Sequence, residues 1–238
     1  MWPLRIMEAG RSKERQAGPI SWEKQKHMAD GDSSELLLAG LTREIATMQL
    51  LSSGSSEPAY RWLADPPGKA VMYHYLQKHP RCETDQGPIL PVFYAELPPA
   101  PSGRGKPNLT GFLLAQLGDT SAANWKDALD RTYRLADLIH TYQVELVVLA
   151  AFHHLCTPTG RFLTDQLEWL VSFFRAHLKT IPLLAIGEKE TVNSLILASS
   201  SGVMRRFHRI RLPGEPPEPD DPDAWAELRK RLGLDTLN

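Results

Sequence analysis

The stretch that most constrains the fold of this chain is the nearly uninterrupted apolar run VELVVLAAFHHL at residues 144–155. A short apolar run that ends in polar residues is typical of a strand buried on both faces of a parallel sheet. The carboxyl ends of such strands line the crevice in which open α/β sheets bind their ligands. We therefore expect the functional site near Ala150 and Ala151, at the carboxyl end of this strand.

Length and composition limit the class of protein. A chain of 238 residues can build one full-sized core, and a net charge of −1 lacks the basic excess of a dedicated nucleic-acid binder. Cys82 and Cys156 have the spacing of neither a disulfide framework nor a zinc ribbon. Because there is no apolar segment of membrane-spanning length and no apolar core of a signal peptide, we expect a cytoplasmic protein that does not contact a membrane.

Hydrophobic patterning predicts one α/β domain with tails. Residues 1–32 have too few apolar positions to offset the entropy of ordering, which favours a disordered tail. An N-terminal helix and a linker are predicted at 33–56, and an α/β core at 57–213. Residues 214–238 are predicted to form an acidic, proline-rich linker and one short helix. Within the core, alternating buried strands and helices favour a mainly parallel sheet covered by helices on both faces.

Four further strands are expected beside the opening run. They are a short strand that begins at Tyr60, a second at 87–97, a third at 181–187 and a last edge strand at 206–212. Helices are expected between them, including a long amphipathic helix at 122–142 and another from 190 to about 198.

Several of these segments together resemble one protein family. A strand and turn that end in GK, a helix that ends in HP, the strands PVFYAELPPAP, VVLAAFHHL and IPLLAIG, and the terminal RRFHRIRLP are similar to the TniB/TnsC family of AAA+ regulators of bacterial DNA transposition. The resemblance covers about residues 60–232. It implies a three-layer α/β sandwich of the P-loop NTPase (AAA+) type, with a mainly parallel sheet and a truncated lid subdomain.

The phosphate loop of that family reads G-x-x-x-x-G-K-[ST], in which backbone N–H groups cradle phosphates and the hydroxyl binds Mg²⁺. The resemblance places Gly68 and Lys69 on the second glycine and the lysine, and Ala70 on the hydroxyl position. Leu63 stands where the first glycine belongs, and Pro66–Pro67 removes two N–H donors. Gly68, Lys69 and Ala70 are thus a vestigial nucleotide site, with two interpretations open: a residual phosphate contact, or a helix N-terminus with a solvated lysine.

The other catalytic positions of the family depart as well. Its acidic pair, which holds Mg²⁺ and activates water, falls on Ala150 and Ala151, and its sensor position falls on Glu188. Phosphoryl transfer depends on the metal and on positioning, so we predict a pseudo-ATPase with no catalytic residue, no metal site and no ATP or Mg²⁺ cofactor. The adjacent His153 and His154 fit a family loop better than a metal site or a catalytic base, because side chains at adjacent strand positions point opposite ways.

Binding roles are implied by the same resemblance. Arg205 or Arg206 falls near the arginine finger of the family and could instead contact DNA or another subunit, or simply be a solvated edge charge. Arg104 and Lys106 are candidates for contact with a DNA backbone. The partners implied are a transposase, a TniQ-like target-selection protein and double-stranded DNA, with self-association or co-assembly with an active homologue.

The resemblance thus predicts a non-hydrolysing adaptor in DNA transposition. Two alternatives stay open. The chain could still be an active ATP-dependent regulator whose metal ligands come from Asp65 or Glu188. It could also be an interaction module or a mobile-element remnant without a role in transposition.

Overall fold

The protein is described here by a computed structural model that covers residues 31–85, 87–99, 108–155, 161–192 and 206–213. The strands are β1 (Tyr60–Asp65), β2 (Cys82–Thr84), β3 (Gly87–Ile89), β4 (Val92–Glu96), β5 (Leu146–Ala150), β6 (Leu183–Glu188) and β7 (His208–Arg209). The helices are α1 (Gly31–Gly54), α2 (Gly68–Lys78), α3 (Leu109–Gln116), α4 (Ala128–Thr141) and α5 (Arg161–His177). Short 3-10 turns cover Ala122–Asn124 and Phe152–Leu155.

The main sheet has five parallel strands in the order β4-β5-β6-β1-β7. β1, the first strand in the described part of the chain, is therefore an interior strand, flanked by β6 and β7. Register brings Asp65 opposite Glu188 at the ends of β1 and β6, and Glu96 opposite Ala150 at the ends of β4 and β5. The carboxyl ends of these four strands meet at one edge of the sheet.

Helices cover both faces of this sheet, which confirms the predicted three-layer α/β sandwich. Alternate residues of β5 contribute to the two cores, because successive side chains of a strand point to opposite faces. Val147 and Leu149 pack in the core with α3, α4 and α5. Leu146 and Val148 pack in the core with α1 and α2. All five residues of β5 are buried, as the continuous apolar run predicts.

Two predicted elements differ from the observed ones. Residues 87–97 form no single strand: Gly87–Ile89 pairs with β2 in a separate antiparallel hairpin, and only Val92–Glu96 joins the main sheet. Pro91 separates the two strands; it has no N–H to donate to a ladder. The helix predicted at 122–142 is interrupted before Asp127, whose carboxylate accepts from the Leu129 and Asp130 N–H groups at 2.6 and 3.1 Å and so begins α4 as an N-cap.

Other boundaries shift modestly. Helix α1 continues to Gly54, into the predicted linker, and the buried Ser52 hydroxyl accepts from the Ala59 N–H at 2.8 Å just before β1. The last edge strand contains only two residues. Within the described ranges, no helix has the length and apolarity to cross a membrane. Residues 1–30, 86, 100–107, 156–160, 193–205 and 214–238 lie outside the described part of the chain, so the predictions made for them stay predictions.

Candidate functional site at the carboxyl edge of the sheet

The loop between β1 and α2 contains only Pro66 and Pro67. Strand β1 stays paired with β6 through Asp65, so the positions that would begin a phosphate loop are still part of the sheet. Neither proline carries an N–H group. These two residues therefore supply none of the backbone N–H donors on which phosphate loops depend.

Leu63 and Gly68 are tied together by packing. The Leu63 side chain is fully buried beneath the start of α2. A Cβ atom added to Gly68 would lie 3.0 Å from Leu63 Cγ and 3.0 Å from Ile186 Cγ2. Glycine at position 68 therefore allows the helix to approach the strands closely, which is a packing reason for the residue independent of any phosphate.

Lys69 is held by two carboxylates of its own chain. Its Nζ atom lies 2.6 Å from Glu96 Oε1 and 3.9 Å from Asp65 Oδ2. The Lys69 backbone N–H also donates to Asp65 Oδ1, at 3.4 Å. Asp65 thus meets the first turn of α2 and Glu96 meets the ammonium group, so both kinds of donor that a P-loop lysine position offers to phosphate are engaged by carboxylates.

Ala150 and Ala151 lie in the protein interior, with 0% and 1% of their surface exposed. The Ala150 carbonyl accepts from the Leu97 N–H at 2.9 Å, which extends the pairing of β4 with β5 beyond Glu96. Ala151 has a positive φ of 51°, and the chain then turns into the 3-10 turn. The two positions on which the resemblance places the family's acidic pair are therefore buried and uncharged.

The histidine pair lies on this 3-10 turn and not on the strand. The two rings are 4.4 Å apart, so the prediction that they point opposite ways is wrong. His154 Nδ1 donates to the Leu97 carbonyl at 2.7 Å, which requires the proton on Nδ1. His153 Nδ1 accepts from the Glu188 N–H at 3.4 Å. Burial lowers the pKa of His153, and the nearby Glu188 carboxylate opposes this shift.

Glu188, at the predicted sensor position, ends β6 with an exposed side chain. Its Oε2 atom accepts from the Thr191 hydroxyl at 3.1 Å, and its Oε1 atom lies 3.9 Å from His153 Nε2. Asp65, Glu96 and Glu188 therefore place three carboxylates at the edge that carries Lys69. Within the described residues, no three His, Cys, Asp or Glu side chains are grouped so that they could hold a metal ion.

Arg206 lies at the opposite edge of the sheet from Lys69, because it precedes β7 as Glu57 precedes β1. Its guanidinium pairs with Glu57, which also pairs with Arg175 at 3.0 Å. The pKa of the neighbouring Tyr60 hydroxyl is raised, mainly by burial. A cavity of about 420 Å³ opens beside these residues. Arg205, Arg104 and Lys106 lie outside the described ranges.

Glu96 is a charged residue of this edge that sequence reasoning did not single out. Its position at the end of β4 was visible in the sequence. Its closeness to Lys69 depends on the strand order, since β5 and β6 lie between β4 and β1.

Comparison with known proteins supplies the family. A family model described as "Bacterial TniB protein" matches residues 67–215, which is more than half of the chain and runs from the last residue of the proline loop to beyond β7. A search of curated proteins finds no match. The match and the parallel sheet agree with the resemblance drawn from the sequence. The chain belongs to the TniB family of transposition-associated, AAA+-like proteins.

Proposed function

We propose that this protein is a non-hydrolysing adaptor in DNA transposition, which bridges target DNA, a transposase and a TniQ-like target-selection protein. Membership of the TniB family supports the process. The contacts at the carboxyl edge of the sheet support the absence of hydrolysis. In this proposal the protein works in the bacterial cytoplasm.

The observation that carries the proposal is the engagement of Lys69 by Glu96 and Asp65. A nucleotide would have to displace two carboxylates from the donors it needs, and its phosphates would meet the negative charge of Glu188 as well. At close range, like charges disfavour binding. The two-proline loop offers no N–H groups in compensation.

Metal chemistry is disfavoured for a separate reason. The positions that would hold Mg²⁺ and activate water carry the buried methyl groups of Ala150 and Ala151, and position 70 has no hydroxyl. Catalysis of phosphoryl transfer rests mainly on positioning and on neutralisation of charge by the metal. Without these groups, most of the rate enhancement should be lost.

The binding roles are further parts of the proposal. A finger arginine acts on the active site of another subunit, so Arg205 or Arg206 could serve an active homologue in a mixed assembly without metal ligands of its own. Arg206 would first have to leave Glu57. Arg104 and Lys106 are the proposed contacts to the backbone of double-stranded DNA, which would make binding strongly salt-dependent. Self-association is the alternative mode of assembly.

Two titrations test the proposal. Calorimetry with ATP, with and without Mg²⁺, should give no saturable heat, and no ATP turnover should be detected. Binding of double-stranded DNA, measured across a salt series with the transposase and the TniQ-like protein present, should fall as salt rises. Failure to bind DNA or either protein at low salt would remove the adaptor role and favour an interaction module or a mobile-element remnant.

The still-active regulator has a distinct signature. Asp65 and Glu188 are register partners at adjacent strand ends, which is the arrangement that this alternative needs for replacement metal ligands. ATP turnover that depends on Mg²⁺ and disappears in Lys69→Ala would establish it and would overturn the proposed loss of hydrolysis.

A further inference from the structure

The Lys69–Glu96 contact joins elements that are far apart in the sheet. Two strands separate β1, which leads to Lys69, from β4, which ends in Glu96. At the usual spacing of neighbouring strands, β1 and β4 are roughly 14 Å apart. The chain after β1, the lysine side chain and the glutamate side chain together cover this distance, and the two charged groups lie 2.6 Å apart.

Ala150 makes this reach possible. It ends β5, in register with Glu96, and its methyl group is buried. An acidic side chain at position 150 would stand beside Glu96 and repel its carboxylate, because like charges at close range disfavour each other. The missing acid at position 150 and the ion pair across the sheet are thus two parts of one arrangement.

The two carboxylates also divide the donors between them. Asp65 takes the backbone N–H of Lys69 at the start of α2, and Glu96 takes the side-chain ammonium. A phosphate bound at the start of a helix uses these same two kinds of donor. Both carboxylates belong to strand ends that are fixed by sheet pairing, so the chain itself supplies negative charge at this position.

We propose that Glu96, with Asp65, is an internal occupant of the phosphate position at Lys69, and that neutralising Glu96 opens a binding site for inorganic polyphosphate. The inference rests on the proposed loss of nucleotide chemistry, for which it gives a cause within the chain. In the unaltered protein, Glu96 pairs with the lysine and weakens the binding of free anions there.

The size of the effect follows from the exposure of the pair. Lys69 and Glu96 side chains are 35% and 54% exposed, so solvent screens them and the contact is a weak exposed ion pair. Removing one unit charge about 4 Å from a bound anion in a water-like surrounding changes affinity on the order of fivefold at low salt. The gain should shrink as salt is added.

The test is calorimetric titration of the full chain with inorganic tripolyphosphate at low salt, without Mg²⁺. Glu96→Gln is expected to bind on the order of fivefold more tightly than the unaltered protein. Glu83→Gln is the matched control, because Glu83 also forms an exposed ion pair, with Arg81 at 3.1 Å on the β2–β3 hairpin. This control changes the net charge identically and should leave the affinity unchanged. In Lys69→Ala/Glu96→Gln the gain should disappear.

Three results would overturn the inference. One is an equal gain in Glu83→Gln, which would mean a general charge effect, and another is a gain that persists without Lys69. An unchanged affinity in Glu96→Gln would also overturn it, while leaving the adaptor proposal intact if the unaltered chain still binds DNA and hydrolyses nothing. Turnover of ATP by the unaltered chain would instead remove the proposed function. Thermal unfolding of each variant verifies that the exposed substitutions leave the fold intact.

Discussion

Placing an aspartate at position 150 tests whether this position is a closed part of the core. Ala150 has no exposed surface and packs in the core that contains Leu63 and Ile186. A buried charge without a partner costs about 3–5 kcal/mol. Lys69, the cation at this edge of the sheet, is already engaged by Glu96. Ala150→Asp should therefore lower the free energy of unfolding by about 3–5 kcal/mol at neutral pH.

Ala150→Asn separates the charge from the added volume. Asparagine has nearly the size of aspartate, and an unpaired buried amide costs about 1–3 kcal/mol in mutational data. The aspartate variant should thus be less stable than the asparagine variant by about 2 kcal/mol near neutral pH. Burial raises the pKa of a carboxyl group, so the folded aspartate variant binds a proton more tightly than the unfolded one. The difference between the variants should therefore shrink as the pH falls.

Urea denaturation at pH 7 and at pH 5 measures these differences, provided that the slope of the transition is unchanged. Equal stability of the aspartate and asparagine variants at pH 7 would refute the reasoning, because it would mean that water or Lys69 reaches position 150. We further expect Ala150→Asp to gain no ATP turnover, since the proline loop is unaltered.

Three further changes test separate features. Ala151→Gly should change the free energy of unfolding by less than about 1 kcal/mol in urea denaturation, because relief of the positive φ of 51° is offset by added chain entropy and by the loss of a buried methyl group. Leu63→Ala, a step towards the family's first glycine, should cost about 2–5 kcal/mol in the same assay, whereas Leu50→Ala, at a side chain 74% exposed, should change stability by less than about 0.5 kcal/mol. Because burial lowers the pKa of His153 below 6.5, the unfolded chain binds the extra proton and stability is lost as the pH falls below that value. His153→Gln should therefore reduce the drop in thermal midpoint between about pH 7.5 and about pH 5.5; an unchanged drop would contradict the assignment.

Much of the fold was predictable because apolar patterns reflect burial directly. In the run at 144–155 and in the segment 181–187, nearly all successive residues are hydrophobic, because both faces of these strands are covered. The helix from Gly68 was equally visible. The predicted boundaries of elements were wrong where a single residue ends or begins an element, as Pro91 does between β3 and β4 and Asp127 does before α4.

The contacts of the candidate site were less accessible to sequence reasoning. Departures from the phosphate-loop pattern are local, so they could be found in the amino-acid sequence around Gly68. The partners of Lys69 and Arg206 depend on strand order and on side-chain reach, which no local pattern encodes. The prediction for the histidine pair was wrong because it rested on strand geometry, whereas both histidines lie in a 3-10 turn.

The strand order also has a consequence for how the protein is made. Strand β1 is synthesised first among the strands, yet its two neighbours, β6 and β7, come last. Most of the described chain lies between Tyr60 and its partner Leu183, so the central pairing has a high contact order, which slows folding. During synthesis on the ribosome, β1 cannot pair with either neighbour until β6 and β7 have emerged. The strand that leads to Lys69 is the first to be made and among the last to be secured.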